Sequence, residues 1–217
     1  MAGVTPGPPS PTLQGELVRL EPLDRRHLPG LLAAATEDRA HFGFTPVPDG
    51  RAGLEAYLER AEAGRREGSM VPFATVGAAD GRVLGSTRFA CVERWDWPPG
   101  HPQAGRSGPD VVEIGFTWLA GSALRSGANL EAKLLMLAHA FETWEVHRVR
   151  FRTDRRNERS RLAIEGLGAG LDGILRADLP GADGTVRDSA YFSILAVDWP
   201  RARSTIRARL DRRAPAG

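Results

Sequence analysis

Three short stretches carry the residues whose types and spacing could do chemistry. The first is Arg125-Ser126-Gly127-Ala128-Asn129, which opens the apolar helical pattern "LEAKLLMLAHAF". A helix start leaves backbone amides unpaired and carries a partial positive charge, so anions settle there. Gly127 lets a ligand approach the backbone, Ser126 and Asn129 can donate hydrogen bonds, and Arg125 adds a full charge. The same residues also read as a plain cap by Ser126 or Asn129, with Glu131 in the first turn answering the dipole. The second stretch, "VRFRTDRRNERSRLAIEGLGA", reads as a strand, then Asn157 as a cap, then Ser160 one turn into a helix, then Gly168. The third is Glu113, at the head of the otherwise apolar strand "EIGFTWLA". Partial burial there would raise a carboxyl pKa toward that of a general base. The competing reading is a strand-end carboxylate paired with a surface arginine.

Other chemistries find less support. His27, His41, His101, His139 and His147 are scattered and form no pair at metal-binding spacing. No metal site is expected. Cys91 is the single cysteine, so an internal disulfide is excluded, and its apolar run suggests a buried, inert thiol. The net charge is +2, with Lys133 the only lysine. Basic residues cluster only in "RARSTIRARLDRR" at Arg201–Arg213, which reads as a solvated helix or tail. Nucleic-acid binding is therefore disfavoured. The start of the chain lacks the basic and apolar parts of a signal peptide, and no apolar run reaches the roughly 18 residues of a membrane span. A cytoplasmic protein with no membrane association is expected.

The elements that would position these residues follow from periodicity and turn chemistry. Residues 1–14 are rich in Pro and Gly and are expected to be disordered. A strand is expected from Glu16, then a helix capped by Asp24, then a helix with Leu54, Tyr57, Leu58 and Ala61 on one face. "VPFATVGA" and "RVLGSTRFACVE" form a hairpin around "ADG". A loop over 94–109 precedes the Glu113 strand. Then come the Arg125–Asn129 turn and its helix, the strand "VHRVRFRTD", the Asn157 helix, two strands joined by "PGADGT", and a last helix with Asp198 as its cap and Pro200 in its first turn. An antiparallel meander followed by a β-α-β crossover requires a mixed sheet. The expected fold is α+β, with one domain over 15–200 and an Arg-rich helix or tail over 201–217.

Taken together, "EIGFTWLA", "RSGAN", Asn157, Ser160 and Gly168 resemble the GNAT superfamily, the acetyl-CoA-dependent N-acetyltransferases. The last part, "GILRADLPGADGTVRDSAYFSILAVDWP", is similar to the branch that contains the ribosomal-protein N-terminal acetyltransferases. The resemblance runs from about Gly15 to Pro200. It implies a mixed, mostly antiparallel sheet whose central strand pair, Glu113–Leu119 and Val146–Thr153, splays into a notch. It implies that the backbone at Thr117, Trp118 and Leu119 pairs with the pantetheine arm of acetyl-CoA, the cosubstrate. Arg125, Ser126, Gly127, Ala128 and Asn129 would hold the pyrophosphate, and Asn157 and Ser160 would line the arm near the sulfur. The chain departs from the family pattern at Leu124, Asn129 and Ile164; the last stands where many members carry a general-acid tyrosine. Ser160 is then the best local donor for the leaving thiolate, with a helix-face hydroxyl that makes only a backbone contact as its competing reading, and Glu113 is the candidate base.

The acceptor implied is a primary amine, either a protein N-terminus or a small molecule. Asp110, Arg187 and Asp188 are candidates to border its pocket, and Glu93, Asp96 and Asp110 hint at an acidic one that suits polycations. Trp95 and Trp97 fit two roles, closing over the acceptor or packing against a second copy in a homodimer. Two readings compete with catalysis: a non-catalytic acyl-CoA-binding sensor on the same fold, and a nucleic-acid-associated protein that uses the Arg-rich end.

Overall fold

Alternating burial makes Val18–Pro22 a strand, and the two residues Leu13–Gln14 already pair with it (β1, Leu13–Gln14; β2, Val18–Pro22). The computed structural model describes residues 10–213. The segment expected to lack structure therefore runs into the sheet, because Leu13 lies across from Leu20 and Gln14 from Arg19. Of the rest, residues 10–12 carry no regular structure, and residues 1–9 lie outside the described residues.

Asp24 caps a 3-10 turn by accepting from the Arg26 amide at 2.9 Å, and the His27 ring accepts the Asp24 amide in return at 3.2 Å. Helix α1 (Leu28–Thr36) follows, then α2 (Gly50–Arg66), which buries the expected stripe of Leu54, Tyr57, Leu58 and Ala61. The hairpin forms β3 (Val71–Gly77) and β4 (Val83–Glu93), and the 94–109 loop leads to β5 (Val111–Leu119). Helix α3 (Ala128–Ala138) ends in a π turn at His139–Thr143 before β6 (Arg148–Asp154) and α4 (Glu158–Glu165). Strands β7 (Gly170–Pro180) and β8 (Val186–Leu195) and helix α5 (Trp199–Asp211) complete the fold.

The strands make one sheet in the order β1-β2-β3-β4-β5-β6-β8-β7. Every neighbouring pair is antiparallel except β5 with β6. That exception follows from the crossover through α3, since a helix between two strands returns the chain in the same direction. One face packs under α3 and α5, around Phe73, Phe89, Met136, Phe151, Phe192 and Ile206. The other packs under α1 and α2, around Leu31, Leu54, Leu58 and Trp118. The α+β fold with a mixed, mostly antiparallel sheet is the one the sequence suggests.

Three local expectations are corrected. Cys91 is exposed, with φ +46°, where β4 breaks register against β5, so it is not a core thiol. Asp198 has helical dihedrals and makes no side-chain cap; it reaches only Arg201, at 3.9 Å. The Arg-rich end has an apolar stripe: Trp199, Ala202 and Ile206 are buried in the α3 side of the core.

Candidate functional site

The parallel contact between β5 and β6 is short. Val111, Val112 and Glu113 pair with Arg148, Val149 and Arg150, and there the pairing stops. Beyond it, β5 continues to Leu119 against β4 alone, and β6 continues to Asp154 against β8 alone. The two strands therefore diverge into a notch with Glu113 at its vertex. A bulge reinforces the divergence. Register shifts between Ser86 and Arg88, and Phe116 on β5 takes φ +53°, a conformation that costs a bulky residue energy. An open strand edge inside a sheet is a template for an extended ligand. Of the three residues expected to pair with such a ligand, Thr117 lies on this edge, Trp118 is buried under α1 and α2, and the Leu119 carbonyl already accepts from His41 Nε2 at 3.1 Å.

The head of α3 sits beside this edge. Gly127 precedes the helix with φ +93°, and Arg125 before it has φ +62°. Ser126 Oγ accepts the Ala128 amide at 3.2 Å, so one amide is capped, while Asn129 is exposed and caps nothing. The amides of Asn129 and Leu130 find no acceptor among the described residues. A Cβ on Gly127 would lie 2.9 Å from Leu17 Cδ1, so the β1–β2 turn walls this loop closely. Glu131 does not serve the helix dipole alone. It is buried and accepts the amides of Glu16, Leu17 and Val18 at 3.0, 2.7 and 2.7 Å, which fastens that turn to α3.

The opposite wall is the start of α4. Asn157 is buried, and its Oδ1 accepts the Ser160 amide at 3.0 Å, as a cap should. The Ser160 hydroxyl is partly exposed and has no partner among the described residues. Ile164 is part of the apolar core.

Glu113 is 4% exposed. Burial pushes its carboxyl pKa above the ordinary carboxylate value, against a downward pull from Arg152, at 3.7 Å, and Arg150. Gly115 makes room for the carboxyl, since a Cβ there would lie 3.1 Å from Glu113 Oε1. The surface-pair reading of Glu113 does not fit this burial.

Two groups escaped the sequence reading. Lys133, 6% exposed, donates from α3 to Thr87 Oγ1 at 3.1 Å and Thr117 Oγ1 at 2.5 Å, and burial lowers its pKa to about 7. A lone lysine in an apolar helix pattern was the available signal. Arg88, 2% exposed, lies between the rings of Tyr57 and Phe116, with its Cζ 4.6 and 4.4 Å from their centroids. An arginine inside the strand-like "STRFA" was its only trace.

Two of the acids considered for the border of an acceptor pocket, Asp110 and Asp188, serve structure instead. Asp110 is buried and accepts the Trp95 amide at 2.7 Å and Trp97 Nε1 at 3.0 Å, so it anchors the 94–109 loop. Trp95 stacks on His147 and Trp97 on His101, at 5.3 and 4.2 Å. Asp188 accepts the Ala177 amide at 2.9 Å and holds the bulged part of β7. Among the described residues no group of three or more His, Cys, Asp or Glu gathers as a metal site, and no helix is long and apolar enough to cross a membrane.

Residues 18–170 match a family model described as an acetyltransferase (GNAT) domain. A crystal structure from T. thermophilus, provisionally classed as an acetyltransferase, is 35% identical, with a TM-score of 0.73 over 92% of this chain and 96% of its own. A GCN5-related N-acetyltransferase from Brucella melitensis is 29% identical, with a TM-score of 0.77 over 97% of this chain and 88% of its own. RimJ of Mycobacterium smegmatis, crystallised with CoA-disulfide, shares the fold at 22% identity, with a TM-score of 0.72 over 88% of each chain. No curated protein matches the sequence.

Proposed function

This chain belongs to the GNAT family and is an N-acetyltransferase, and on that premise we propose that it transfers the acetyl group of acetyl-CoA to a primary amine by direct attack. The observation that carries the reading is the β5–β6 pairing that ends at a buried Glu113, next to an α3 head with unpaired amides. The amides at Asn129 and Leu130, with Gly127 and Arg125, suit a pyrophosphate. The free β5 edge around Thr117 suits the pantetheine arm, and Asn157 and Ser160 flank its far end.

Direct attack forms an N–C bond at the thioester carbonyl and breaks the C–S bond. Glu113 accepts the proton that the amine must lose, directly or through one water. Its raised pKa makes it a stronger base than an ordinary carboxylate. A backbone amide near Leu119 polarises the thioester carbonyl, a contact worth about 3 kcal/mol in comparable sites. Ser160 passes a proton from solvent to the departing thiolate. No enzyme nucleophile is needed. The acceptor is a small-molecule amine or a protein N-terminus.

The test has two readouts on the full chain. Acetyl-CoA at a hundred times its dissociation constant should add about 2.7 kcal/mol of stability, or roughly 5–10 °C in Tm. Release of free CoA thiol should then depend on an added amine. No thermal shift removes the cosubstrate assignment. A shift with no amine acetylated favours the acyl-CoA sensor instead.

A further inference from the structure

The face of the sheet that carries Glu113 is rich in guanidinium groups. Register sets Arg88 across from Gly115 and Arg150 across from Glu113, with Arg152 following on β6. Glu93 pairs with Arg150 at 2.8 Å, and Asp178 with Arg152 at 3.4 Å. Two others have no carboxylate partner among the described residues. Arg187 donates only to Ser189 Oγ, at 2.9 Å; burial and the neighbouring Arg152 lower its pKa, against an upward pull from the charges of Asp154 and Asp178. Among the described residues Arg88 reaches only Met70 Sδ, at 3.4 Å, and its buried Nε and Nη2 find no partner.

A buried guanidinium with two idle donors is costly, and flanking rings offset only part of that cost. An arriving anion would complete it. The cover over Arg88 is also suited to moving: Phe116 is 45% exposed and sits on the strained bulge at the lip of the notch. Glu113 is no substitute anion for Arg88, because it makes no ion pair with it and turns instead toward Arg152.

We propose that the acceptor amine carries a carboxylate, received by Arg88 while the amine faces Glu113, with Arg187 adding positive charge nearby on the same face. The proposal rests on Glu113 as the base of the acetyl-transfer site. Arg88 and Glu113 stand on adjacent strands, two residues apart along them on one face, so their roots are about 7–8 Å apart. An amine and a carboxylate separated by one or two carbons span that gap once a hydrogen bond of about 2.9 Å is added at each end. The same wall repels polyamines and aminoglycoside-like cations. The carboxylate could be the α-carboxylate of a free amino acid or the side chain of an N-terminal Asp or Glu in a peptide.

Paired acceptors decide this. Amino acids are compared with their α-carboxamides, and peptides beginning with Asp or Glu with those beginning with Asn or Gln, by CoA-thiol release. In one of the two sets the carboxylate member should have kcat/KM about tenfold or more above its amide partner. Arg88→Gln should shrink that ratio by about tenfold; Arg187→Gln, at a half-buried site that tolerates change better, should shrink it by about threefold. Equal or better turnover of amides or polyamines overturns the carboxylate assignment and leaves acetyl transfer standing. Turnover of no amine in either set, alongside a thermal shift with acetyl-CoA, overturns both.

Discussion

The two sides of the notch are built from different material. The proposed cofactor side is mostly backbone: amides at the head of α3, the free edge of β5, and a cap at Asn157 that fixes the start of α4. The opposite face is mostly side chain: Glu113 and Arg88 with Arg150, Arg152 and Arg187, drawn from β5, β4, β6 and β8. The difference separates a constant task from a variable one. A reagent shared across a family can be gripped by main-chain groups, which survive changes of sequence. An acceptor that differs between members must be read by side chains.

The largest expected effect breaks the side-chain half at its centre. Glu113→Gln keeps shape and removes the base, so kcat should fall about 10²–10⁴-fold with the KM for acetyl-CoA nearly unchanged. The pH profile supplies the sign. Burial raises the carboxyl pKa, so the base is protonated at low pH and the wild-type rate climbs as pH rises through that pKa. The variant should lose this acidic limb. A kcat within threefold of wild type, with the limb intact, moves the base to another residue.

The same contrast decides what the sequence could reveal. Element order was readable, because periodicity and turn residues are local: the α2 stripe of Leu54, Tyr57, Leu58 and Ala61 is buried as the 3.6-residue spacing implies. The Asn157 cap was readable for the same reason, as was a turn before α3, although the helix starts at Ala128, inside the expected Arg125–Asn129 turn. Glu113 stood out as a charge in an apolar strand. Arg88 did not, because its meaning comes from Tyr57 on α2 and from a bulge at Phe116 that no local pattern announces. Asp110 misled because an acid beside a loop looks like a pocket wall, whereas the loop folds back and uses it as an anchor. Cys91 misled because its run is apolar, yet a register break turns it outward. Pairwise contacts between distant strands decide such cases, and spacing along the chain does not encode them.

A smaller effect should come from the backbone half. At Gly127 the φ of +93° is poorly tolerated by a β-branched residue, and a Cβ would press on Leu17 Cδ1 at 2.9 Å. Gly127→Val should cost about 2–3 kcal/mol, seen as a lower Tm. It should also raise the KM for acetyl-CoA about tenfold and leave the KM for the amine alone. If the amine KM rises instead, the division between the two sides fails at this loop.

Lys133 sharpens the comparison, because it is a side chain on the face of β5 opposite Glu113. Its ammonium rests on the hydroxyls of Thr87 and Thr117 and has no carboxylate in ion-pair range among the described residues. Its pKa is about 7 in the folded chain against 10.5 for the ordinary side chain. Between those values the unfolded chain binds the additional proton, so the wild type gains stability as pH rises through that window. Below the window both states are charged, and the burial cost is present in full. Lys133→Met fills a similar volume without charge and leaves the two hydroxyls to bond each other, as they already do at 2.8 Å. The variant's lead over wild type should therefore be largest near pH 6.5 and fall steadily as pH rises through the window. Urea unfolding at several pH values measures it. A lead that does not change with pH would mean that Lys133 does not titrate in the window, and a destabilised variant would mean that the charge is held by a partner other than the two threonines.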